Sequence, residues 1–177
     1  MATVGRSGVV LCGPAFWRVG GMFVLRPLQV GDAEAVALLI RGAFASIDPP
    51  LQPAPSALRE TVETIAVAIG KGGMAAVAGG RVVGAVLWEP RDGGLYFGRL
   101  AVDGAWRRLG VAQALVEAVE MLAREAGFSR VHAAVRLALA GNRAFFASLG
   151  FVETKLHAHE GFSAPTWVEL EKHLGAV

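Results

Sequence analysis

The apolar positions of the chain switch repeatedly between a period of two and a period near 3.6. "FVLRPL", from Phe23 to Leu28, alternates as a strand does. Asp32 then stands where a helix cap is wanted, ahead of Val36, Leu39, Ile40, Ala43 and Phe44 on one helical face. The proline-rich "DPPLQPAP" separates this helix from a second, with Ser56 as its cap, Leu58, Val62, Ile65 and Ile69 as its stripe and Gly70 as its end. "MAAVAGGRVVGAVLWEP" reads as two strands joined at Gly79-Gly80, and Asp92-Gly93-Gly94 turns the chain into the next strand, "GLYFGRLAV". Val111, Leu115, Val119 and Leu122 form the stripe of a helix whose Glu117, Glu120, Arg124 and Glu125 face water and which Gly127 closes. The strand "RVHAAVRLAL", the short helix "GNRAFFASLG" and the strands "FVETKLHAH" and "PTWVELEKH" complete the order.

Strand, two helices, three strands, helix, strand, helix and two strands predict an α/β fold, a mixed sheet of about seven strands with helices on both faces. Residues 1–21 stand outside this pattern. Their apolar patch resembles a signal peptide only faintly, because Pro14, Trp17 and Arg18 interrupt it and no small-residue cleavage site is clear. They are read as a flexible N-terminal extension or the product of a start assigned upstream of Met22, which leaves 22–177 as a single domain.

Composition narrows the classes. With 54% hydrophobic and 18% charged residues, the 177-residue chain is expected to fold around a core. A formal net charge of +2 without any basic run argues against nucleic acid, and no apolar run approaches the length of a membrane span. Cys12 is the only cysteine, so no intrachain disulfide or cysteine-based metal site can form, which suits a reducing, cytoplasmic location.

The chemistry concentrates where "GRLAV" hands over to "DGAWRRLGVA". One reading is a strand-to-helix turn with solvated arginines. The other begins from the unpaired N–H groups and positive dipole end of the helix that follows, a natural seat for phosphate. Gly110 and Ala112 keep the turn free of bulk, and Arg107 and Arg108 can add charge-assisted bonds. The lysine of a Walker loop and the glycine triplet of a Rossmann loop are both missing.

"LYFGRLAV" followed by Arg107-Arg108-Leu109-Gly110-Val111-Ala112 resembles the Gln/Arg-x-x-Gly-x-Gly/Ala signature of the GNAT superfamily of acyl-CoA-dependent N-acyltransferases. "GNRAFFASLGF" is similar to the family's asparagine-containing helix closing in Gly-Phe, here Gly150-Phe151, and the element order agrees from Met22 onward. The resemblance implies a mostly antiparallel sheet splayed at its centre, and acetyl-CoA as co-substrate. It implies a diphosphate on Arg107, Arg108, Leu109, Gly110, Val111 and Ala112, a pantetheine arm along Leu100, Ala101 and Val102, and a main-chain N–H of that segment facing the thioester oxygen. Asn142 corresponds to the family's asparagine near the pantetheine, although Leu139 occupies the usual offset from Gly150; a helix N-cap is the alternative for Asn142.

Phe146 departs from the pattern, standing where many relatives carry a tyrosine that protonates the leaving thiolate. Either the acid is dispensable, since a thiol of pKa about 8.5 leaves tolerably as thiolate, or the domain binds acyl-CoA without transfer, as a sensor or regulatory module. For a base, Glu89 and Tyr96 are the catalytic candidates, with His132, Arg136, His157 and His159 behind them. Each has a plain alternative: a solvated strand end for Glu89, a sheet aromatic for Tyr96, and for Arg136 a partner that is either a substrate carboxylate or a nearby acid. His157 and His159 lack an acid at matching spacing, and no metal is expected. The reading is an acetyl-CoA-dependent N-acetyltransferase acting by direct attack of a primary amine. A small-molecule acceptor is favoured over a protein, and the apolar surface would allow a homodimer.

Overall fold

The computed structural model describes residues 17–19 and 22–175. Eight strands form one sheet: β1 (Trp17–Val19), β2 (Phe23–Pro27), β3 (Gly73–Ala78), β4 (Arg81–Arg91), β5 (Gly94–Val102), β6 (Arg130–Arg136), β7 (Val152–His157) and β8 (Trp167–His173). Four helices pack on it: α1 (Ala33–Ala45), α2 (Val62–Ile69), α3 (Val111–Glu125) and α4 (Ala140–Ser148). The strand order is β1-β2-β3-β4-β5-β6-β8-β7. The seven expected strands are all present, and β1 adds an eighth from within the segment read as an extension; the remainder of that segment lies outside the described residues.

The turns follow their residues. Gly79 and Gly80, at φ 53° and 78°, close the β3–β4 hairpin between Ala78 and Arg81, and Asp92-Gly93 does the same between β4 and β5. At α3, Gly127 adopts φ 80° while the N–H groups of Gly127 and Phe128 bond back to the carbonyls of Arg124 and Ala123, a Schellman closure. Ser56 does not cap α2. It opens a short 3-10 turn, Ser56–Arg59, and the cap passes to Thr61, which exchanges bonds with Thr64 in a capping box. Leu58 therefore drops out of the helical stripe, and Val62 is exposed.

Two cores sandwich the sheet. On one face Val36 and Ile40 of α1 and Ile65 and Ile69 of α2 pack on Ala75, Ala85, Leu87 and Ala101. On the other, Leu115 and Val119 of α3 and Phe146 of α4 meet Phe97, Val131 and Phe151. Leu115 and Val119 are fully buried, each contributing roughly 1.5–3 kcal/mol by leaving water. Glu120 was expected to face water, yet it is 6% exposed: its carboxylate receives Lys172 Nζ of β8 at 2.7 and 2.8 Å, with Arg124 at 3.5 Å. The amphipathic count places Glu120 beside the polar face, but β8 covers that edge and supplies the compensating lysine.

The sheet opens at its centre. β5 and β6 run parallel and pair only at Leu95↔Val131 and Tyr96↔His132; beyond Tyr96 the two strands separate. Within β5 the pairing to β4 slips between Leu87↔Gly98 and Ala85↔Ala101, leaving Arg99 and Leu100 opposite a single partner residue and Arg99 at φ 53°. This bulge reverses the faces. Phe97 belongs to the α3–α4 core and Ala101 to the α1–α2 core, whereas unbroken alternation would put both on one side.

Candidate active site

The splay is the mouth of a cleft of about 920 Å³ that runs from the middle of β5 to the first turn of α3. Its walls are the C-terminal halves of β5 and β6, and its apolar lining includes Phe44, Phe97, Trp106, Leu139, Phe145 and Phe146. Asp103 N–H bonds back to Val83, so by strand alternation the N–H groups of Leu100 and Val102 point the other way, into the gap. Both residues line the cleft. Ala101, grouped with them from the resemblance, does not: its main chain faces β4 and its methyl lies in the α1–α2 core.

At the far end α3 begins at Gly110, whose φ of 80° is the left-handed conformation that favours glycine. No side chain caps this terminus, so the N–H groups of Val111, Ala112 and Gln113 have no intrahelical partner and all three residues line the cleft. The start of α4, at Leu139, is likewise uncapped and also borders the cleft, whereas α2, which does not, carries its capping box. Gly84 sets the height of α3: a Cβ there would meet Val111 Cγ1 at 2.6 Å, so the helix start lies directly on the backbone of β4.

Arg107 and Arg108 flank the turn, and both line the cleft. Arg107 donates to Ser46 Oγ at 2.7 Å, tying α3's approach to the end of α1. Leu109, in the same run, is 42% exposed and outside the lining. Asn142 lines the cleft from the third position of α4, which removes the N-cap alternative. Phe146 is 6% exposed, forms part of the wall, and brings no hydroxyl.

Glu89 and Tyr96 face each other across β4 and β5 at the closed end of the splay, outside the cleft lining. Lys71 Nζ lies 2.7 Å from Glu89, and Arg91 forms a second ion pair with it. The Lys71 bond first, then Arg91, overcome a small burial penalty and hold Glu89 below the usual carboxylate range, the wrong direction for a base. Tyr96 lies under Arg91, 4.1 Å from its ring centroid, and edge-on to His132. His132 bonds the Arg91 carbonyl through Nε2 at 3.0 Å. His157 stacks on Trp167 at 4.0 Å, with Nε2 2.8 Å from Glu169 but outside hydrogen-bond geometry. His159 Nδ1 lies 2.5 Å from Thr166 Oγ1, and burial followed by the charge of Arg136 lowers its pKa.

Two arginines enter the cleft besides the pair at α3. Arg99, on the bulge, went unnoticed in the sequence; its Nε donates to Glu60 Oε1 at 2.6 Å and its Nη2 to Ser56 Oγ at 3.0 Å. A glycine followed by a charge inside an alternating strand, Gly98-Arg99, was the signal for it. Arg136, at the end of β6, donates to the main-chain carbonyl of Gln52. Among the described residues no carboxylate, imidazole or phenol lines the cleft, and no cluster of metal-ligating side chains is found.

The acetyltransferase (GNAT) family model matches residues 46–151, which span the loop after α1, the bulged strand, the α3 turn and the end of α4. The chain belongs to the acetyltransferase (GNAT) family, and acyl transfer is its class of chemistry. Solved structures of the same fold include the ribosomal-protein-S18-alanine N-acetyltransferase of Escherichia coli, at 17% identity and TM-score 0.71 over 88% of this chain and 96% of that one. Ard1 of Thermoplasma volcanium matches at 21% identity and TM-score 0.71, over 86% of this chain and 98% of its own. PaiA N-acetyltransferase of Thermoplasma acidophilum, solved in complex with coenzyme A, matches at 15% identity and TM-score 0.69, over 86% and 99%. No curated protein matches the chain. No helix among the described residues is long and apolar enough to cross a membrane.

Proposed function

We propose that this protein transfers the acetyl group of acetyl-CoA to a small primary amine by direct attack in a ternary complex. The observation that carries the reading is the continuity of one cleft from the uncapped first turn of α3 to the bulge in β5. The helix-terminal amides of Val111 to Gln113, with Arg107 and Arg108 beside them, suit the diphosphate. The gap-facing main chain of Leu100 and Val102 suits the amides of the pantetheine arm, which adds like a strand to the exposed edge of β5. That places the thioester by the bulge, where a main-chain N–H steadies the developing oxyanion.

The amine must be neutral to attack. With no carboxylate, imidazole or phenol among the described residues of the lining, its proton passes to water. The thiolate leaves unaided: Phe146 withholds an acid worth about a hundred- to ten-thousandfold in rate, and a thiol pKa near 8.5 makes that loss tolerable.

Phe146 also favours a second reading, a binding module that senses acyl-CoA without turnover. Thiol release from acetyl-CoA across a panel of amines tests the choice. Amine-dependent release supports the transferase; tight binding with no release on any amine supports the sensor.

A further inference from the structure

The four arginines of the cleft are not equivalent. Arg107 and Arg108 belong to the α3 turn, and Arg99 is neutralised by Glu60. Arg136 belongs to neither group: like Arg107 and Arg108 it forms no ion pair among the described residues, but it stands away from the α3 turn, and its side-chain bond is to one neutral carbonyl, that of Gln52. Of the two carboxylates that share its face of β8 by register, Glu171 is paired with Arg130 and Glu169 lies beside His157, 2.8 Å from its Nε2. A guanidinium has five N–H donors in a planar fork, and a partly buried one without a counter-charge is costly. Burial alone lowers the pKa of Arg136, the mark of such a group.

Its position separates it from the diphosphate site. Val131, Ala133 and Val135 of β6 pack in the α3–α4 core, so Arg136 points to the opposite face, where the segment between α1 and α2 brings Gln52 to it. The α3 terminus lies on the other side of the sheet, against Gly84. With the diphosphate seated on the α3 side, the opposite face, where Arg136 stands, is left for the acceptor.

We propose that the acceptor is an amino carboxylate, its carboxylate held by Arg136 as a forked ion pair while its amine faces the thioester at the β5 bulge. This rests on the acetyltransferase reading, with acetyl-CoA along β5. The Arg136 fork matches the two carboxylate oxygens, and bidentate pairing fixes the direction of the amine. The Gln52 carbonyl uses one donor and orients the rest.

The test is thiol release from acetyl-CoA with a panel of α- to ω-amino carboxylates, each beside its own carboxamide, on wild type, Arg136→Gln and Arg136→Lys. Acetyl-CoA-induced thermal stabilisation is followed in parallel on each variant. Expected are kcat/KM values at least tenfold higher for a carboxylate than for its amide, a KM for that carboxylate at least tenfold higher in Arg136→Gln, an unchanged KM for the amide, and partial recovery in Arg136→Lys. The proposal is overturned if amides serve as well as carboxylates, if Arg136→Gln affects both alike, if no carboxylate is acetylated although other amines are, or if the variant loses acetyl-CoA stabilisation. Absence of acetyl-CoA stabilisation in wild type removes the underlying reading instead, and with it this one.

Discussion

The rings of Phe146 and Phe151 meet edge to face with centroids 5.4 Å apart, one residue before and one after the turn that ends α4. Gly150 makes the contact possible. At φ 86° it lets the N–H of Phe151 bond the carbonyl of Phe146, and the two rings then supply the apolar contact that accompanies such a closure. Phe97 of β5 completes the cluster, at 6.0 and 5.7 Å from the two rings. The floor of the cleft is thus the same packing that closes α4. Phe146→Ala is expected to destabilise the protein by about 3–5 kcal/mol, as for a large core aromatic, read from urea unfolding. A change under about 1 kcal/mol would show that the cluster is not part of the core.

Replacing both Arg107 and Arg108 with alanine should weaken acetyl-CoA by at least about tenfold, since two charge-assisted contacts are removed, and leave S-acetylpantetheine, which lacks the diphosphate, within about twofold by the same reasoning. Isothermal titration with both ligands makes the comparison. Equal losses would deny the arginines a phosphate role.

Gly84→Val should lower acetyl-CoA affinity although residue 84 touches no proposed ligand group. The added Cβ would fall 2.6 Å from Val111 Cγ1 and lift the start of α3 from β4. The measurement is paired: a lower Tm together with a Kd raised at least tenfold, against Gly31→Ala as a control at an exposed turn with open space around it. An unchanged Kd would mean that the α3 terminus can move without loss.

Glu120→Ala leaves Lys172 without its partner beneath the end of α4. Because Lys172 keeps some access to solvent, the expected cost is about 2 kcal/mol, below the roughly 3–5 kcal/mol of a fully buried pair. The double variant Glu120→Leu with Lys172→Met should recover much of it. Equal stability of wild type and Glu120→Ala would contradict the buried-pair account.

Glu60 links stability to pH. Burial opposes its charge, but Thr64 and Arg99 outweigh burial and hold its folded pKa below the usual carboxylate value. A depressed folded pKa gives stability that is complete above the unfolded pKa, about 4.3, and is lost as the pH falls through the folded value. Glu60→Gln should therefore flatten the decline of Tm on the acid side of that point. A parallel decline in both proteins would show that Glu60 titrates alike folded and unfolded.

Local periodicity made most of the fold legible. The alternation of β3 to β5, the two glycine hairpins and the stripe of α3 need only neighbours in sequence, and so does the α3 turn with its two arginines. What escaped notice depends on partners far along the chain. Glu120 sits at the edge of a polar stripe and is buried because Lys172, 52 residues away, covers it. Glu89 reads as a candidate base until Lys71 and Arg91 close on it. Ser56 lost its capping role to the better-placed pair Thr61 and Thr64, five residues on from Ser56 to the new cap. Arg99 was hidden because one extra residue in β5 turns the rest of the strand over, and a period-two count cannot register that inversion.

Titration calorimetry of the wild-type protein with acetyl-CoA, set beside S-acetylpantetheine under the same conditions, tests the central claim most directly. A diphosphate seated on the open first turn of α3 predicts one acetyl-CoA per chain, bound at least about thirtyfold more tightly than the fragment because the charged contacts are lost with the diphosphate. Equal affinities, or no binding of acetyl-CoA, would contradict it.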